Sequence, residues 1–126
     1  MLHRDYILEM IAEFCEAVTR ALRHAREGGG VESCAEVESQ IASVLDLDPM
    51  LALSLEPDSL VSMMVLSGMG SALAEYVAYA LSELSDVYDE LGEENLSKLR
   101  LAQAAAVAES FGCDLDAVPE GFARLE

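Results

Sequence analysis

The sequence predicts an all-α fold built from antiparallel helical hairpins. Apolar residues recur every three or four positions along most of the 126-residue chain, which is the spacing of one helix face. No stretch alternates apolar and polar residues as a half-buried strand does. Glycines, prolines and capping residues coincide with the ends of the apolar stripes. Together these observations predict about five helices.

The first two helices are predicted to form a hairpin around a glycine turn. The first helix covers residues 4–26, where Ile7, Ile11 and Phe14 begin one apolar stripe. Three consecutive glycines at 28–30 end it, and the second helix covers residues 31–45. A short turn opened by Asp48 and Pro49 follows, because an acidic cap before proline is typical of a helix start.

Three further helices are predicted in the second half. They cover residues 57–67, 71–91 and 93–111, and the breaks between elements fall near 28–30, 46–49, 54–57, 67–71 and 92. The tail, residues 113–126, is expected to form one turn before Pro119 and then to dock through Phe122 and Leu125 or to remain mobile. A chain of this length suits a single helical domain over residues 1–126.

Composition and charge exclude several classes of function. The apolar fraction of 52% excludes an intrinsically disordered chain. Twenty-four acidic against seven basic residues give a net charge of −17, which repels a nucleic-acid backbone. The longest uncharged run, residues 59–74, is too short to span a bilayer, and the N-terminus lacks the form of a signal peptide. We therefore expect a cytoplasmic protein without nucleic-acid or membrane partners.

The cysteines and histidines form no pattern of known chemistry. Cys15, Cys34 and Cys113 are odd in number and far apart, unlike a disulfide framework or the paired ligands of a zinc site. Neither His3 nor His24 completes the Glu-x-x-His motif of a carboxylate-bridged metal bundle. Phosphate-binding and nucleophile-elbow glycine patterns are missing from the sequence. We expect no catalytic residue, no cofactor and no metal, and we interpret Cys15 and Cys34 as core residues.

The second half resembles a tetratricopeptide repeat, a helical hairpin of about 34 residues. The positions with matching spacing lie between residues 81 and 108: Leu81, Leu84, Ser85, Tyr88, Leu91, Gly92, Ser97, Leu101 and Ala104. Ser85 replaces the glycine and Ser97 the alanine of the pattern. One repeat is visible, and the resemblance implies a protein-interaction role.

The chain begins with the segment Arg4 to Ile11, which contains the core Asp-Tyr-Ile-Leu-x-Met-Ile. This segment resembles the start of an uncharacterised bacterial family of small, all-helical proteins. The segment from Leu45 to Pro49 also resembles this family. This resemblance covers most of the chain and implies a helical fold but no activity.

An acidic run closes the fourth predicted helix and opens the fifth. Its members are Asp86, Asp89, Glu90, Glu93 and Glu94. The first three lie where the helix dipole disfavours negative charge. The interpretations that stay open are a solvated surface, a docking face for a basic peptide and a loose divalent-cation site. We expect the run to be exposed and any metal affinity there to be weak.

The third predicted helix is apolar almost all round, which is typical of a central core helix or of an interface. Methionine suits both, because its side chain adapts to irregular surfaces. We expect an interface, formed by Leu60, Met63, Met64 and Met69. A second copy of the chain is the expected occupant.

The best functional hypothesis from the sequence is a small helical protein-interaction or assembly module, acting on a protein partner or as a homodimer. The alternative is a small-molecule-binding domain or enzyme with a pocket between helices. A pocket lined by Tyr76, Tyr79 and Tyr88 would favour that alternative.

Overall fold

The computed structural model describes residues 2–68 and 70–125, with side chains for residues 6–51, 53–68 and 70–125. Its helices are α1 (Leu2–His24), α2 (Gly30–Val44), α3 (Pro49–Ala52), α4 (Pro57–Ser67), α5 (Gly70–Glu90), α6 (Glu94–Phe111) and α7 (Glu120–Ala123). The described residues contain no strand, so the all-α prediction is confirmed.

Local signals set most helix ends where the sequence places them. The Asp48 carboxylate accepts a 2.9 Å hydrogen bond from the Met50 amide and caps α3, and proline occupies the first position of α3 and of α4. α1 ends at His24, and the segment Ala25–Gly29 that follows is kinked, because Glu27 and Gly28 leave the helical conformation and Gly28 has a φ of 114°.

α5 and α6 form an antiparallel hairpin. Gly92 closes α5 with φ of 83°, a conformation that a Cβ disfavours, and the Glu93 amide then donates to the Tyr88 carbonyl at 2.8 Å. Further along, the hydroxyls of Ser85 and Ser97 each donate to the other residue's backbone carbonyl at 2.8 Å. The two serines of the tetratricopeptide-like pattern therefore join the helices where they lie side by side.

α5 is the central helix of the bundle. It packs against α1, α2, α4 and α6, while α1 pairs with α2 and α4 packs mainly against α6. Its apolar residues are buried along its whole length, including Leu73, Val77, Leu81 and Leu84. One contiguous core joins them to residues of α1, α2, α4 and α6.

The C-terminal segment docks on the bundle through Phe122, which is 2% exposed. The Phe122 ring centroid lies 4.6 Å from that of Tyr79 and 6.1 Å from that of Phe14. A hydrogen bond from the Ala117 amide to the Asp114 carbonyl closes a turn before Pro119, and α7 adds a helical turn after it. Of the two expectations for the tail, the structure shows docking.

Candidate functional site

α4 does not present the face that the sequence predicts. Leu60 and Met64 are 0% exposed and belong to the core, so their assignment to an interface is wrong. Met63 is half-buried, and Met69 lies outside the described residues. The inward face packs on α6 and α5, because residues four apart lie on the same side of a helix.

The exposed side of α4 carries apolar side chains that the sequence analysis did not single out. Val65 is 60% exposed and Leu66 is 80% exposed. Leu66 borders a shallow groove of about 330 Å³ between α4, the end of α2 and the α2–α3 turn. We call it the α2–α4 groove; its lining residues are Val44, Leu45, Asp46, Leu47, Met63, Leu66 and Ser67.

Asp46 shapes one edge of this groove. Its φ of 57° places a non-glycine residue in the left-handed region directly after α2. The Asp46 amide donates to the Ser43 carbonyl at 3.1 Å, and the Leu47 amide donates to the Ala42 carbonyl at 2.9 Å. This is the Schellman arrangement, in which glycine is the usual residue at the position of Asp46. The turn places Leu47 and the exposed residue Asp46 among the residues that line the groove.

A buried polar cluster lies on the inner side of α6. Arg100 is 4% exposed and Gln103 is 0% exposed. Nε and Nη2 of Arg100 donate to one carboxylate oxygen of Glu38, at 3.0 and 2.8 Å, and the Tyr88 hydroxyl donates to the same oxygen at 2.7 Å. Burial, and then the bond to Glu38, raise the pKa of Tyr88.

The same cluster holds the segment between α3 and α4. Arg100 Nη1 donates to the Leu53 carbonyl at 2.7 Å, and Gln103 Nε2 donates to the Leu55 carbonyl at 2.9 Å. Among the described residues, no buried side-chain nitrogen or oxygen is left without a hydrogen-bond partner. The cluster therefore positions α4, and with it the groove, rather than offering free groups for chemistry.

The cysteines are not activated for chemistry. Cys15 and Cys34 are buried and unpaired, as expected of core residues, and Cys113 is half-buried. Burial raises the pKa of the Cys15 and Cys34 thiols from 9.0 to about 11. Burial also raises the pKa of Cys113. All three thiols are protonated at neutral pH, whereas a nucleophilic cysteine is a thiolate.

The acidic run is exposed at all five positions: Asp86, Asp89, Glu90, Glu93 and Glu94. Arg26, in the segment between α1 and α2, donates to the Glu90 carboxylate at 3.3 Å, and its guanidinium lies 3.7 Å from the Glu83 carboxylate. In the described part of the chain, no three His, Cys, Asp or Glu side chains are grouped as metal ligands.

The acidic run and the α2–α4 groove lie at opposite ends of α5. Gly70, at the start of α5, lies against Met64 of α4, whereas Glu90 ends the helix. A helix of 21 residues is about 30 Å long, so the two surfaces are separate.

The three tyrosines do not share a pocket. The Tyr88 hydroxyl is bonded inside the polar cluster. Tyr79 lines a cleft of about 370 Å³ with Arg23 and Arg26, whereas Tyr76 lines another of about 490 Å³ beside Cys113. The arrangement that would favour a small-molecule site is not formed.

Comparisons with protein-family models, with curated proteins and with solved structures each find no match to this chain. The resemblances to tetratricopeptide repeats and to a bacterial helical family therefore stay predictions. None of the helices in the described residues is long and apolar enough to cross a membrane.

Proposed function

We propose that this protein is a protein-interaction module that binds its partner through the α2–α4 groove. The observation that supports the proposal best is Leu66, an aliphatic side chain that is 80% exposed at the edge of a groove walled by further apolar residues. Exposed apolar residues gathered around a concavity are typical of protein-binding surfaces.

The rest of the molecule is consistent with a binding role. The buried polar cluster is saturated with internal hydrogen bonds, and the raised thiol pKa values disfavour nucleophilic chemistry. Three unpaired cysteines fit the reducing conditions of the cytoplasm, where we place the protein. Its net charge of −17 argues against a nucleic-acid partner.

A small-molecule site is the second candidate, and the cleft of about 370 Å³ between α1, α5 and α7 is its best location. Leu22, Tyr79 and Phe122 form an apolar floor there. Glu27 and Glu83 line the cleft together with Arg23 and Arg26, so its formal charges cancel. The groove is the better supported site, since the cleft offers no net charge to select a ligand.

Differential capture from the native host tests the proposed function. The tagged protein is compared with Leu66→Gln, which removes the exposed aliphatic edge while keeping good helix propensity. The control is Val31→Gln, which changes an aliphatic residue of 46% exposure at the other end of α2. We expect mass spectrometry to find proteins that wild type and Val31→Gln retain and Leu66→Gln loses. Identical captures by all three proteins would contradict the proposal.

A further inference from the structure

We propose that the occupant of the α2–α4 groove is a cationic amphipathic segment of a partner protein. An aliphatic side chain of that segment packs between Met63 and Leu66, and a neighbouring lysine or arginine pairs with Asp46. This inference rests on the proposed function and adds the chemistry of the partner.

Asp46 is unfavourable where it lies, for two independent reasons. Its left-handed backbone, with φ of 57°, suits glycine or asparagine better than aspartate. Its carboxylate also follows the C-terminus of α2, where the helix dipole disfavours negative charge. Locally unfavourable residues concentrate at functional sites. Here the residue brings a carboxylate to the edge of an apolar groove.

The charge around the groove favours a basic occupant. No lining residue of the groove is basic. Among the residues that line the groove, Asp46 is the one that carries a charge. A second copy of the chain would bring another net charge of −17 to this surface, whereas a basic segment is attracted to it.

The dimensions of the groove suit one or two side chains of a larger partner. Its volume of about 330 Å³ is at the lower end for small-molecule pockets, and it is open rather than enclosing. An amphipathic helix inserts anchor side chains into grooves of this kind and keeps its polar face in water. Leu66 and Met63, three residues apart on α4, offer an edge along which such anchors pack.

Binding of two synthetic peptides tests this inference. Both are helix-forming peptides of about 15 residues with leucines on one face; the other face carries lysines in the first peptide and glutamates in the second. Affinities are measured by calorimetry at physiological salt for wild type, Leu66→Gln and Asp46→Asn. The matched controls are Val31→Gln and Asp86→Asn, which make the same kinds of change away from the groove.

We expect the lysine peptide to bind wild type at least tenfold more tightly than the glutamate peptide, since opposite charges attract at the rim. Leu66→Gln should weaken lysine-peptide binding about tenfold, because an apolar contact is lost. Asp46→Asn should weaken it about threefold, as expected for one exposed ion pair. Asn tolerates the left-handed backbone, so thermal stability of Asp46→Asn should equal or exceed that of wild type. Neither control should change affinity.

Three outcomes would overturn the inference. Equal binding of both peptides, with loss in Leu66→Gln, would show a groove without charge preference and would leave the proposed function standing. Equal binding of the lysine peptide by Leu66→Gln and Val31→Gln would show diffuse charge attraction, and the capture experiment would then decide the proposed function separately. Light scattering that shows a wild-type dimer broken by Leu66→Gln would assign the groove to a second copy.

Discussion

Arg100 places a guanidinium inside the bundle at 4% exposure, and its surroundings explain why this charge is tolerated. It donates to the Glu38 carboxylate, to the Leu53 carbonyl and to the amide oxygen of Gln103. Removing a charge from water is costly, and only paired and hydrogen-bonded charges are retained in a core. Through these hydrogen bonds Arg100 ties α6 to Glu38 of α2 and to the segment between α3 and α4.

Arg100→Met should therefore destabilise the protein by about 3 kcal/mol, since the Glu38 carboxylate loses its cationic partner and keeps the Tyr88 hydroxyl alone, and the Leu53 carbonyl loses its 2.7 Å donor. Urea unfolding followed by circular dichroism measures this change. The control is Arg124→Met, which breaks the exposed pair with Glu120 and should cost at most about 0.5 kcal/mol. Equal effects of the two substitutions would show that burial does not strengthen the Arg100 interactions.

At the scale of elements, local signals predict where helices begin and end, but not which face each helix buries. The breaks follow from neighbours in sequence, such as Asp48 before Pro49. The orientation of α4 depends on α5 and α6, and a helix that is apolar on all sides carries no pattern that selects a face. Met64 is therefore buried and Leu66 exposed for reasons that lie outside their own helix.

The polar cluster could not be predicted from the sequence, for a related reason. Glu38, Tyr88 and Arg100 come from three helices, far apart in the chain. A signal was nevertheless present, because Arg100 and Gln103 are three residues apart and therefore share a face of α6 with buried Ala104 and Val107. Polar residues on an otherwise apolar helix face indicate a buried hydrogen-bond network when acidic residues on other helices can accept from them.

The close approach of α4 to α5 at Gly70 provides a second prediction. A Cβ at Gly70 would lie 2.7 Å from the Met64 carbonyl oxygen and 2.9 Å from Cζ of Phe111. In an open helix, alanine would gain about 1 kcal/mol over glycine. Here we expect Gly70→Ala to destabilise by about 1–3 kcal/mol, because the backbone of α4 must move. Ser71→Ala, at an exposed neighbour, is the control, and its thermal midpoint should equal or exceed that of wild type. A stabilised Gly70→Ala would show that the helices separate freely.

At the scale of the whole molecule, the excess of negative charge affects both the association of two copies and the binding of a partner. The net charge of −17 opposes association between copies of the chain and favours encounter with the basic partner that we propose. Arg26, in the segment that follows α1, pairs with α5 at the end that carries the acidic run. The opposite end carries the groove and Asp46, without basic side chains in the groove wall. Screening by salt should therefore weaken partner binding and not folding.

Alkaline pH should destabilise the protein through its buried thiols. Burial raises the pKa of Cys15 and Cys34 from 9.0 to about 11, so the folded state keeps protons that the unfolded state loses. Stability from these groups is complete below pH 9 and falls as pH rises towards 11. The free energy of unfolding should decrease by about 2 kcal/mol for each thiol over this interval.

Lys98 is the single lysine of the chain, but tyrosine side chains also titrate near pH 10 and the chain has four. The contribution of one thiol is therefore measured as the difference between wild type and a variant that lacks it. Urea unfolding at a series of pH values under reducing conditions gives the slope. Tyr88, whose pKa is also raised, adds to the loss at higher pH. Cys34→Ala should lower stability at neutral pH, since it leaves a small cavity, but should also reduce the alkaline loss of unfolding free energy by about 2 kcal/mol, the contribution of one thiol. A slope identical in wild type and Cys34→Ala would show that this thiol does not couple proton loss to unfolding.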